Sequence, residues 1–191
     1  MTFAKRPDGS LYQHGDPLAV WDYSPLYEEL VALPLLIYIP GVRPGAYTGL
    51  TSAIDVMPTV LDILGVPVPE WVQGRSLLPL MRDPSAKGRE FVVSTIPFAN
   101  PGDEVSSVDN ISRRLRSPLM TTVTAGDWSL TYTQQAGRSE LYNLKADPGQ
   151  GKNVIGTHPE TARELHGLLV RFMRENHMHE RLVKPRLELR L

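Results

Sequence analysis

The chain has 191 residues, 41% of them hydrophobic and 21% charged, with a formal net charge of −1. That balance is ordinary for a globular protein and offers no bulk attraction to nucleic acid or an anionic membrane. Cysteine is absent, which excludes disulfides, thiolate metal sites and a cysteine nucleophile. No apolar run approaches the ~20 residues that a membrane span needs. Met1–Gly9 lacks the apolar core of a signal peptide, so a soluble chain is expected.

Met1–Asp22 is polar and turn-rich, with Asp8-Gly9, His14-Gly15 and Asp16-Pro17, and reads as irregular. Ser24-Pro25 suits the start of a short helix ending near Leu33, with Glu28 and Glu29 close to its first turn. Pro34-Leu35-Leu36-Ile37-Tyr38-Ile39 is short, apolar and bounded by prolines, the pattern of a strand buried on both faces. In Asp55–Gly65 the residues Met57, Val60, Leu61 and Leu64 share one helical face. Asp55 is placed to cap that helix, Pro58 is tolerable in its first turn and Gly65 is a natural stop.

Arg82–Gly88 has the composition of a linker. Glu90–Ile96 reads as a strand, and Phe98–Arg116 is a long polar stretch without a period. Leu119–Ala125, Trp128–Gln134 and Glu140–Leu144 form a meander with turn residues between them. Thr157-His158-Pro159-Glu160 has a capping-box pattern and opens a helix with Leu165, Leu168, Leu169 and Phe172 on one face. The tail from His177 is charged and expected to fray.

Three stretches carry a family resemblance: LYEELVALPLLIYIPG, IDVMPTVLDILGVPVP and QGRSLLPL, in that order. With Gly126–Tyr132 and the ELYNLKADP run at Glu140–Pro148, they resemble the C-terminal portion of the sulfatase family. The resemblance implies an α/β fold: the end of an alkaline-phosphatase-like mixed sheet with flanking helices. A small C-terminal α+β lobe, an antiparallel sheet with one packed helix, would follow. The expected division is 1–88 for the incomplete catalytic domain and 89–191 for the lobe.

A complete family member hydrolyses a sulfate ester to an alcohol and inorganic sulfate. It does so with a formylglycine nucleophile, made from Cys or Ser in a C/S-x-P/A-x-R motif, and a calcium ion on oxygen ligands. Ser85…Arg89 has Lys87 at the middle position and Ser112…Arg116 has Arg114, so neither fits. Asp8-Gly9 and His14-Gly15 do not reproduce the family's Asp-[Asn/His]-Gly ligand run, and DPLAVWDYSP lacks the lysine that often contacts sulfate. The expectation is therefore no catalytic residue and no metal ligand in this chain, with the substrate contacts unknown.

Other residues of interest have plain readings beside functional ones. Glu28 and Glu29 are adjacent on a helix and point apart, which suits helix-start charge better than an acid–base pair. Asp55 reads as a cap before a ligand, and Arg75 as an anion contact or a surface or packing arginine. His177 and His179 could chelate loosely or be solvated. Trp21, Trp71 and Trp128 could stack on a sugar, with Trp128 more at home in a core. Arg113, Arg114 and Arg116 could attract a sulfated polysaccharide or line a solvated loop.

The expected partners are a sulfated small molecule or glycan for the complete enzyme and a missing N-terminal catalytic half. The alternatives are a non-catalytic binding module derived from a sulfatase, or part of an alkaline-phosphatase-like phosphate or phosphonate ester hydrolase.

Overall fold

The computed structural model describes residues 26–83, 85–95 and 120–191. Asp8, His14, Trp21, Ser24, Ser112, Arg113, Arg114 and Arg116 lie outside them. The chain divides into two compact units: Pro34–Val92 forms one, and the residues before and after it form the other.

A four-stranded sheet runs in the order β1 (Phe91–Thr95), β2 (Thr121–Ala125), β3 (Trp128–Tyr132) and β4 (Glu140–Asn143), all of it in the second of these units except Phe91 and Val92. β2 and β3 pair antiparallel with Val123 opposite Leu130, and β3 pairs antiparallel with β4 with Leu130 opposite Leu141. That register puts Val123, Leu130, Leu141 and Tyr132 on one face, because side chains alternate along a strand. The long helix α4 (Pro159–Glu175) packs on β2 and β3, burying Ala162, Leu165, Leu169 and Met173.

The opposite face carries Thr122, Thr124, Ser129 and Thr131, which are also buried. Here α1 (Glu28–Val31) and the residues before it are tied down: Thr122 Oγ1 donates to the Leu26 carbonyl at 2.9 Å. The helix thus begins at Glu28.

Three expectations for this unit are corrected. The capping box at Thr157 does not form; Thr157 Oγ1 donates to the Val154 carbonyl instead, and His158 occupies the cap position with no side-chain bond to the helix backbone. The helix buries His166 and Met173 in its seam, while Leu168 and Phe172 are only half-buried. The tail does not fray either. It forms α5 (Glu180–Val183) and a 3-10 turn, Lys184–Arg186, with Val183 buried. Main-chain groups fix it further, since Gly137 N donates to the Arg190 carbonyl.

In the Pro34–Val92 unit, a 3-10 turn (Ala53–Asp55) leads into α2 (Val56–Ile63), and α3 (Leu78–Arg82) packs against α2. Gly65 ends α2 with φ +67°, a conformation glycine adopts without penalty. Two expectations fail here. Pro34–Ile39 is not a strand: it has no ladder partner among the described residues, and Leu36 and Tyr38 are 96% and 87% exposed. Of the apolar stripe of α2, Met57, Val60 and Leu64 face outward and only Leu61 is half-buried; Val56 and Ile63 are exposed beside them, whereas Pro58 and Thr59 are buried. The inner side of the helix combines the buried Pro58 ring with the hydrogen bonds of Thr59.

Candidate functional site

The buried hub of this unit is Asp55, 1% exposed. Ser52 precedes the 3-10 turn as its cap, with Asp55 three residues on, so the two close a capping box. The carboxylate accepts four donors: Ser52 N at 2.9 Å, Arg75 N at 2.8 Å, Arg89 Nε at 2.9 Å, and Arg89 Nη2. Burial alone would raise the Asp55 carboxyl, but the bonds from Arg89 and the two amides outweigh it and hold the group below the usual carboxylate range. Asp55 thus stands at the N-cap position of α2 but spends its side chain on a cap one turn earlier, and it joins three separate stretches of chain.

Around this hub the next residues repeat the pattern. Thr59 Oγ1 donates to the Asp55 carbonyl and accepts from Leu77 N at 2.8 Å; Ser76 Oγ donates to Asp62. Gly74 lies so close that a Cβ there would stand 2.0 Å from the Ile54 carbonyl oxygen. The run from Gly74 to Leu77 is therefore pinned along the inner side of α2. Arg75 is held through its amide while its side chain is exposed, and Trp71 is 75% exposed on the preceding loop.

The other unit contains two further clusters. Tyr27 Oη and Tyr142 Oη both donate to Glu140 Oε2, at 2.7 and 2.9 Å, and the two rings meet edge to face. Burial raises both phenols, and the neighbouring Glu140 adds to the effect. Glu28 N donates to Gln150 Oε1 at 2.7 Å, and burial raises the Glu28 carboxyl. These bonds clasp the 26–28 segment onto the hydroxyl-lined face of the sheet. The second cluster centres on His166, whose Nε2 lies 2.9 Å from the Arg186 carbonyl and whose ring packs on Tyr132 at 4.9 Å. Burial lowers its imidazole, partly offset by that carbonyl.

The remaining sequence candidates fall apart as a site. Glu28 and Glu29 belong to the first turn of α1. His179 Nδ1 accepts from Arg181 N and starts α5, and His177 is exposed. Trp128 is half-buried against the His158 ring, 5.2 Å away. Ser85 bonds Asp83 through its amide and hydroxyl. Among the described residues no three His, Asp or Glu side chains stand together as a metal site. Among the described residues, the carboxylate and guanidinium of the Asp55 hub, which could meet a cation or an anion, are already engaged. Asp55 has its lone pairs committed to four donors, and Arg89, the arginine of Ser85…Arg89, is committed to Asp55.

Comparison with known proteins places these elements. The family described as N-sulphoglucosamine sulphohydrolase, C-terminal, matches residues 18–96, a span that contains the whole Asp55 hub. Arylsulfatase K of Rattus norvegicus is 29% identical over 141 residues, covering 73% of this chain and 24% of the relative. Human N-acetylglucosamine-6-sulfatase is 31% identical over 156 residues, covering 71% of this chain and 28% of the relative. The phosphonate monoester hydrolase of Silicibacter pomeroyi superposes with a TM-score of 0.55 at 24% identity, over 76% of this chain and 29% of that one. The fold is that of the alkaline-phosphatase-like superfamily. Within it, the chain corresponds to the C-terminal portion of the sulfatases. It spans about a quarter of the length of the relatives it matches, 24% and 28% for the two named.

Proposed function

We propose that this chain serves a sulfatase, an enzyme that hydrolyses a sulfate ester to an alcohol and inorganic sulfate. Its part is to supply the last helices of the catalytic domain and the small lobe beside it. The observation that carries this reading is the family match over residues 18–96, continued by relatives that cover nearly three quarters of the chain. The nucleophile and the calcium ligands belong to the remaining three quarters of such a polypeptide, together with the contacts to a sulfated small molecule or glycan. The human relative's name, N-acetylglucosamine-6-sulfatase, favours a sulfated sugar. The likeness to a phosphonate monoester hydrolase keeps a second reading in view, an ester of phosphate or phosphonate.

Purified chain, given calcium and a chromogenic aryl sulfate or a phosphonate ester, is expected to show no turnover above blank. Turnover that survives repurification would overturn the reading of a part without its own nucleophile. Turnover of the phosphonate ester alone would move the family reaction to the second reading.

A further inference from the structure

Across residues 184–190 no residue is fully buried, so this segment is not held by an apolar seam. It is held by its carbonyls. Those of Arg186, Glu188 and Arg190 each accept one hydrogen bond, and each donor belongs to a different part of the sheet unit. His166 Nε2 of α4 donates at 2.9 Å, Tyr132 Oη of β3 at 3.4 Å, and Gly137 N, between β3 and β4, at 3.3 Å. A neutral hydrogen bond adds little net stability, so a strap fixed in this way depends on each of its donors.

His166 is the donor whose charge changes near neutral pH. It is buried, and its ring packs on that of Tyr132. A neutral imidazole with its proton on Nε2 suits the Arg186 carbonyl, whereas an imidazolium adds a charge where little water reaches it. The groups around it do not offset that charge. Arg186 is itself a cation, and burial lowers its guanidinium. Glu188, the carboxylate of the strap, pairs with Arg190. The Tyr132 phenol stands beside them from β3, α5 offers only the exposed Glu180 and Arg181, and β2 has no titratable residue.

We infer that residues 184–190 form a pH-operated strap: neutral His166 holds it closed through the Arg186 carbonyl, and protonated His166 lets it lift from Tyr132 and α4. Burial lowers the imidazole while the strap is closed, and lifting returns it to its ordinary value of about 6.5. The lifted form therefore takes up the proton first as pH falls. Closure is complete above about pH 6.5 and is lost progressively below it.

The amide of Gly137 reports closure, because it donates to the Arg190 carbonyl. Its exchange is followed by NMR in the full chain and in His166→Gln, from about pH 7.5 to about pH 5.5, each rate divided by that of unstructured peptide at the same pH. In the natural chain the protection of Gly137 is expected to fall by about fivefold over that range, since one proton is linked to opening. Glutamine keeps a donor without titrating, so His166→Gln should hold its protection constant. The amides of β2 and β3 should remain protected in both.

Protection of Gly137 that does not change with pH overturns the inference, and so does the same loss in His166→Gln. Loss at β2 and β3 in step with Gly137 also overturns it, since the histidine would then report unfolding of the whole unit. Should His166→Gln fail to fold, the ring signal of His166 in the natural chain decides: it should titrate with the midpoint of the Gly137 change, and a ring that titrates while Gly137 stays protected contradicts the strap.

Discussion

The two units solve the problem of folding by different means. The sheet and α4 exclude water from a single apolar seam, with Val123, Leu130 and Leu141 fully buried between strands and helix. Pro34–Val92 has little such seam. Its buried side chains include Asp55, Thr59, Leu77, Leu78 and Leu80, and its order comes from one carboxylate that gathers donors from residues 52, 75 and 89. The first device closes on itself. The second fixes a shape while leaving Leu36, Tyr38, Val60 and Leu64 exposed.

The contrast can be broken by removing each device in turn. Asp55→Ala leaves the Arg89 guanidinium and two amides without an acceptor, a loss of about 3–5 kcal/mol of the kind seen when one partner of a buried pair is deleted. Amide exchange should accelerate throughout 52–89 while β2–β4 keep their protection; uniform acceleration would show that the hub supports the whole chain. Leu130→Ala removes a fully buried side chain from the apolar seam and is expected to cost about 2–5 kcal/mol in denaturant unfolding of the sheet.

A smaller effect comes from His166. Because its imidazole is lowered in the folded state, the unfolded chain binds a proton first as pH falls. The stability of this unit is full above the ordinary histidine value of about 6.5 and declines as pH drops below it. His166→Gln should flatten that decline, measured as thermal midpoint against pH, and a slope unchanged by the substitution would exonerate the residue.

The smallest effect sharpens the comparison of ion pairs. Arg163–Glu160 is exposed on both sides, so Arg163→Ala should change stability by no more than about 0.5 kcal/mol. A larger loss would mean that surface pairs matter here as much as Asp55–Arg89.

How far the sequence discloses this structure depends on whether the cause is local. The meander, its turns, Gly65 and α4 are readable because alternation, helical period and backbone preference act within a few residues. The orientation of α2 is not readable from its own pattern. The apolar stripe of Met57, Val60, Leu61 and Leu64 predicts an inner face, yet only Leu61 is half-buried, because Thr59 and Asp55 are held by Leu77, Arg75 and Arg89, well along the chain. Pro34–Ile39 misleads for the complementary reason: its composition suits a sheet that these residues do not contain.

Among the clustered residues, Tyr27 and Glu140 are separated by 113 positions, and His166 meets the backbone of Arg186. No motif links such pairs. The absent nucleophile motif, by contrast, is legible at once, since it is a matter of residue type at fixed spacing.

The most direct measurement is hydrogen exchange across the full chain by itself. The account predicts high protection over β2–β4 and α4, intermediate protection around 52–63 and 74–80, and exchange over 35–39 at nearly the rate of unstructured peptide. Protection over 35–39 equal to that of the sheet, in a monomer, would contradict it, because that segment would then have found its partner within this chain.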